Sequence, residues 1–201
     1  MKTFLALTKR NIKVFFKDKG MFFVSLITPV ILLVLYATFL ASVYRDSVAN
    51  ALNGFPVSDE LINGIVGGEL FSSLLAVSCV TVAFCSNLLM VNDKVNGARK
   101  DMMITPVKKS AVAVSYFAAS LASTLIVSFV ACAACFIYIA ATGWYFSFGD
   151  VMLIILDVIL LTAFGIAISS VINVFLSSQG QASALGTIVS AGYGFVCGAY
   201  M

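Results

Sequence analysis

The cations of this chain are segregated. All but one of its twelve Lys/Arg residues fall in two short segments, Lys2 to Lys19 and Lys94 to Lys109. Between and after them run long uncharged stretches: Gly20 to Tyr44, Leu70 to Asn92 and Ser110 to Gly149. From Val151 to Met201 the sole charge is Asp157. An apolar run of about 18 residues or more can cross a bilayer as a helix. Cations gathered beside alternate ends of such runs mark the cytoplasmic side. The pattern therefore demands a polytopic membrane protein with its N-terminus inside.

Composition removes the soluble alternative. Charged residues make up 10% of the chain and hydrophobic ones 61%, whereas a soluble domain is about 25% charged. No nucleic-acid partner is expected, because the basic runs adjoin spans and lack the interleaved aromatics of single-strand binders. There is no histidine, which excludes Ser-His hydrolysis, His-metal sites and His proton relays. The five cysteines all sit in apolar stretches. Cys132 and Cys135 have the spacing of a metal or redox pair, but no second ligand pair exists, so they read as small packing residues. No metal ligand and no catalytic residue is assigned. The basic N-terminal region is too long, and the next apolar run too wide, for a cleavable signal peptide.

The expected class is all-α: a polytopic membrane helix bundle with an N-terminal interfacial amphipathic helix and a short cytoplasmic coupling helix. Residues 2–17 place Lys2, Lys9, Arg10, Lys13 and Lys17 in one sector and apolar residues opposite, toward membrane lipid headgroups or a partner. Residues 21–43 form span 1, carrying Pro29. Residues 45–69 read as an acidic outer loop, with a short helix near Asp59 capped by Ser58. Residues 70–91 form span 2, rich in small polar groups that include Ser86 and Asn87; such groups face other helices or a pathway rather than lipid. Residues 92–110 form an inner basic island, 111–141 span 3 and 151–176 span 4. Residues 182–201 form span 5, which ends inside an apolar run, so the chain is expected to be the N-terminal part of a longer protein. In span 5, Ala182, Gly186, Ser190, Gly194 and Gly198 recur every fourth residue as a ridge for close helix packing or a pathway.

The island runs from Asn92 to Ser110. Its middle can form a short charged helix, with Met102 and Met103 to one side and Arg99, Lys100 and Asp101 to another, ended by Pro106. Here the chain resembles the membrane subunit of type-2 ABC exporters. That family shows a charged cluster, a Gly, a short helix and then a Pro with basic residues between its second and third spans. The matching positions are Asp93 and Lys94, Gly97, Arg99 to Met103, and Pro106 with Lys108 and Lys109. Phe16-Lys17-Asp18 before a Pro29-bearing span, and the stretch from Gly192 to Met201, are also similar to the family. Where the family often has two glutamates before the Gly, this chain has Asp93 and Val95. A sixth span and an outer re-entrant hairpin have no counterpart here.

The resemblance implies a plasma-membrane exporter permease for an amphiphilic substrate: a drug, lipid, peptide or polysaccharide. It implies a homodimer or a paired permease chain. It also implies a separate ATP-binding cassette ATPase subunit that carries ATP and Mg, so that this chain is no enzyme and holds no cofactor. The ATPase-coupling element would comprise Asp93, Lys94, Gly97, Arg99, Lys100, Asp101, Met102 and Pro106. Spans 2 and 5 would lie near the substrate path. The chain has no G-x-x-x-x-G-K-[ST] phosphate loop. Two rival readings stand beside this one. A secondary transporter would use Asp157, the lone ionisable group within a span. A non-transport scaffold would use the basic helix and the island as docking surfaces.

Overall fold

The computed structural model describes residues 2–51, 58–104, 107–142 and 144–197. These residues form helices and no strands. Helix α1 is Lys2–Lys17, and α2 (Lys19–Leu35) follows after Asp18, whose carboxylate accepts from the Met21 N–H at 3.2 Å. A π-helical turn, Tyr36–Leu40, joins α2 to α3 (Ala41–Ala51). Then come α4 (Asp59–Val95), α5 (Ala98–Ile104), α6 (Lys109–Thr142), α7 (Phe148–Phe175) and α8 (Gln179–Val196).

Four helical segments are long and apolar enough to span a membrane: Lys19–Ala51, Asp59–Val95, Lys109–Thr142 and Phe148–Phe175. The 18-residue α8 is not among them, because Gln179 and Gln181 occupy its first turn. Helix α4 is the axis of the bundle. In its most apolar stretch 83% of residues are buried, against no more than 39% in the other three. Helices α2, α6, α7 and α8 all pack on it. Lipid tails are as apolar as leucine, so burial as such does not drive these helices together; close packing and interhelical hydrogen bonds do.

Of residues 45–69, 45–51 and 59–69 are helical rather than the loop expected from their acidic character. Helix α3 continues to Ala51 and α4 begins at Asp59, with the Ser58 hydroxyl accepting from the Leu61 N–H. At about 1.5 Å per residue, the 37 residues of α4 exceed a hydrocarbon core of about 30 Å, so the helix carries its polar end beyond the bilayer. Tertiary contacts override the weak helix propensity of Gly64, Gly67 and Gly68. The Tyr36 hydroxyl donates to the Val66 carbonyl, and Arg45 pairs with Asp59 at 3.0 Å. A Cβ on Gly64 would run into the Tyr145 ring at 2.5 Å, while one on Gly67 would be in ordinary contact with Ile139 and Phe146.

Helix α1 is amphipathic, with Lys9, Lys13 and Lys17 exposed. Leu7 and Val14 pack with Leu89, Met90, Val112 and Tyr116, while Phe15 meets Val82 and Val127. Arg10, expected in the outward basic sector, instead turns toward α4.

Candidate functional site

The end of α4 is set by Gly97. Its φ is +80°, a left-handed conformation that glycine adopts without a Cβ penalty. The preceding Asn96 N–H still reaches the Asn92 carbonyl at 2.9 Å, and the Gly97 carbonyl then accepts from the Lys100 and Asp101 N–H groups. One residue thus closes α4 and opens α5. Lys100, Asp101 and Ile104 are exposed; Arg99 and Met102 are half-buried, and Met102 packs on the Leu89, Met90 and Tyr116 cluster. Pro106, expected as the stop, lies outside the described residues.

Two residues expected to belong to the exposed island are used inside the fold. Asp93 is 6% exposed. It accepts from both terminal nitrogens of Arg10 and, at 2.6 Å, from the Tyr116 hydroxyl. Arg10 also donates to the side-chain amide oxygen (Oδ1) of Asn11 at 2.9 Å. Asp93 is therefore not a contact for a soluble partner. It ties α1, α4 and α6 together, because a carboxylate inside the bundle must be paired to be tolerated. The bond to Asp93 raises the Arg10 pKa further above its already high ordinary value. A raised folded-state pKa gives stability that is fully present below the unfolded value and lost only as pH rises through the folded one. On the alkaline side this clasp holds to the arginine range.

Lys94 reaches the far side of the same junction. Its ammonium donates to the Leu176 carbonyl at 2.6 Å and to the Val174 carbonyl at 3.4 Å. These are unpaired acceptors at the end of α7, where a cation is favoured. Lys94→Met is expected to fray that end by about 1 kcal/mol, read as faster amide exchange over residues 173–176. Unchanged exchange would show the contact to be idle.

Above the junction a polar seam runs between α4, α6 and α7. Asn87 is 1% exposed. Its amide nitrogen donates to Ser169 at 2.6 Å and Ser170 at 2.9 Å, and its oxygen accepts from Ser120 at 2.9 Å. Ser86 and Thr124 share a hydrogen bond of 2.6 Å. Ser86 and Asn87 are thus helix-joining residues of the three-helix interior and do not border the groove described next.

Ala182, Gly186, Ser190 and Gly194 are the buried residues of α8, and α8 packs on α4. A Cβ on Gly186 would sit 3.4 Å from that of Phe84, and the Ser190 and Thr81 hydroxyls are hydrogen-bonded. Gly198 lies outside the described residues. Beside this contact, α2, α4 and α8 enclose a groove of about 360 Å³, largely apolar, with Thr28, Thr81, Ser183 and Thr187 among its walls.

Sequence reasoning missed Arg10, Tyr116, Ser120 and Thr124 as partners in these networks. A signal was present: Tyr116, Ser120, Thr124 and Ser128 recur every fourth residue and so share one face of α6.

A central helix clasped by polar contacts and ending in a glycine-hinged charged helix defines a multi-pass membrane protein built around one inward-facing polar axis. The sequence model of the ABC-2 type transporter family matches residues 2–201, and the chain belongs to that family as an ABC transporter permease subunit. No curated relative and no solved structure matches it.

Proposed function

We propose that this chain is the membrane subunit of an ATP-driven exporter, driven by a separate ATP-binding cassette ATPase that seats on α5. The observation that carries the reading is the junction at Gly97. There the seven-residue charged helix α5 leaves the end of the most buried helix of the bundle. Its root is held to α1 and α6 through Asp93 and to α7 through Lys94. A displacement of α5 therefore reaches four helices at once. Nucleotide and Mg belong to the ATPase in this reading. Functional pairing with a second permease chain, homologous or identical, completes the transporter.

The groove between α2, α4 and α8 is the pathway wall of this proposal. Its apolar surface with scattered hydroxyls suits an amphiphile. The clustering of cations on α1 and around α5 supports a plasma-membrane protein with both elements on the cytoplasmic side.

Arg99→Glu combined with Asp101→Lys is expected to abolish ATP-dependent export while insertion persists, since both residues lie outside the clasp. Affinity purification in mild detergent should recover an ATP-binding subunit with the native chain and lose it from the double variant. Normal export by that variant would overturn α5 as the coupling element.

A further inference from the structure

Helices α4 and α7 leave an open crevice of about 370 Å³ at the end of the bundle remote from α5. Gly68, Ser72 and Leu75 line it from α4, and Asp150, Ile154 and Asp157 from α7. Both triplets have the spacing i, i+4, i+7, which keeps each on one face of its helix. The volume falls within the range of small-molecule sites. The crevice shares no residue with the groove between α2, α4 and α8.

Asp157 is out of place in this setting. Nine residues after Phe148, it lies about 14 Å along α7. The 28 residues of α7 measure about 42 Å, so a hydrocarbon core of about 30 Å leaves about 6 Å of helix beyond each face. Asp157 therefore sits about 8 Å inside the apolar layer, whereas Asp150 lies outside it. A charge at that depth is costly, and in membrane proteins it is paired or borders a path. Asp157 is exposed to the crevice, and neither it nor the Ser72 hydroxyl on the facing wall has a hydrogen bond or ion pair among the described residues.

The missing counter-charge does not come from this chain. Its cations lie in the segments Lys2 to Lys19 and Lys94 to Lys109, except Arg45, which pairs with Asp59. Arg10 and Lys94 fix those segments beside Asp93 and Leu176, at the far ends of α4 and α7. A second copy brings the same sequence, and so no cation at this depth either. A hard metal ion takes about six oxygen ligands or more, beyond one carboxylate and one hydroxyl. Asp150 is engaged with the Ser147 N–H at 2.9 Å. An organic ammonium on an apolar body meets every feature of the site. Its charge pairs with Asp157 and its N–H groups find Ser72. Leu75 and Ile154 face its apolar part. Phe71 and Phe146, edge to face at 5.5 Å, also border the crevice and add ring density that favours a cation.

We propose that this crevice binds lipophilic organic ammonium ions, with Asp157 as the counter-charge.

The test places the full chain in phosphatidylcholine nanodiscs without nucleotide or ATPase, so its outcome is independent of the exporter reading above. Trp144, the single tryptophan, packs against Phe146 with ring centroids 6.1 Å apart and reports on the crevice. A dodecylammonium carrying a nitroxide should quench its emission saturably. The matching uncharged alcohol should quench only in proportion to its amount in the bilayer. Asp157→Asn should weaken the saturable binding at least about tenfold, as expected for one lost charge-assisted contact. Gly68→Leu keeps the charge but fills the crevice, because a Cβ there meets nothing within 4 Å, and should weaken binding as much. Both positions face open space, so the two variants should fold as native. Asp46→Asn, which alters a carboxylate outside the crevice, should bind as native. Unsaturable quenching, equal quenching by the alcohol, or native affinity in either Asp157→Asn or Gly68→Leu overturns the proposal. An equal loss in Asp46→Asn also overturns it, by tracing the binding to diffuse surface charge.

Discussion

Arg10→Ala is expected to lower stability by about 2 kcal/mol, read as thermal denaturation in detergent. Removing one partner of a buried ion pair costs about 3–5 kcal/mol because the other charge is stranded. The smaller figure applies because the Arg10 side chain is 37% exposed, so water reaches the vacated site and screens the stranded carboxylate. The effect has a direction. Asp93 cannot leave the interior, whereas Arg10 can swing into water. Asp93→Asn, which keeps an acceptor for Tyr116, is therefore expected to cost less than Arg10→Ala. Joining the two should recover much of the loss, with a coupling of about 1 kcal/mol or more. Strict additivity would mean that the pair contributes nothing to the clasp.

Gly165→Leu is expected to be more damaging, at about 3 kcal/mol or above, with loss of the monodisperse folded chain. A Cβ at Gly165 would lie 3.1 Å from the Ala83 Cβ, 3.2 Å from the Val80 Cα and 3.4 Å from the Cys79 carbonyl oxygen. Two of these are backbone atoms of the central helix and cannot turn aside. Overpacking a well-packed interior by single methylenes already costs about 1–3 kcal/mol, and leucine adds four heavy atoms where one is too many. Gly165→Ala should cost about 1 kcal/mol for the same reason. Gly192→Leu is the control. It is exposed on α8, a Cβ there meets nothing within 4 Å, and the variant should behave as native. If Gly165 and Gly192 tolerate leucine equally, α4 and α7 are not in the close contact described.

Much of this architecture was legible because charge is so expensive in a bilayer that its absence marks helices almost residue by residue. The interfacial helix 2–17 is a local property, written in periodicity; Gly97 entered through the family resemblance, and its left-handed backbone emerged with the structure. The ridge from Ala182 to Gly194 was legible as a packing face by its four-residue spacing. Its partner was not, because spacing says nothing of what lies opposite. The acidic segment 45–69 misled for a related reason. Polar residues signal departure from the membrane, and sequence does not say whether the chain departs as a loop or as a helix overshooting the bilayer. The largest miss was Asp93. Its neighbours in sequence are polar and suggest a solvated island, but its fate is decided by Arg10 and Tyr116, 83 and 23 residues away. The stripe on α6 that carries Tyr116 was visible; that it meets a carboxylate depends on how three helices are rotated about their axes.

The left-handed residue between α4 and α5 has a mechanical consequence. A continuous helix is stiff in torsion, so a partner gripping α5 could otherwise twist the central helix about its own axis. With Gly97 interrupting the helix, α5 is tied to α4 through one turn and through the packing of Met102 on Leu89 and Met90, rather than through a continuous helical ladder.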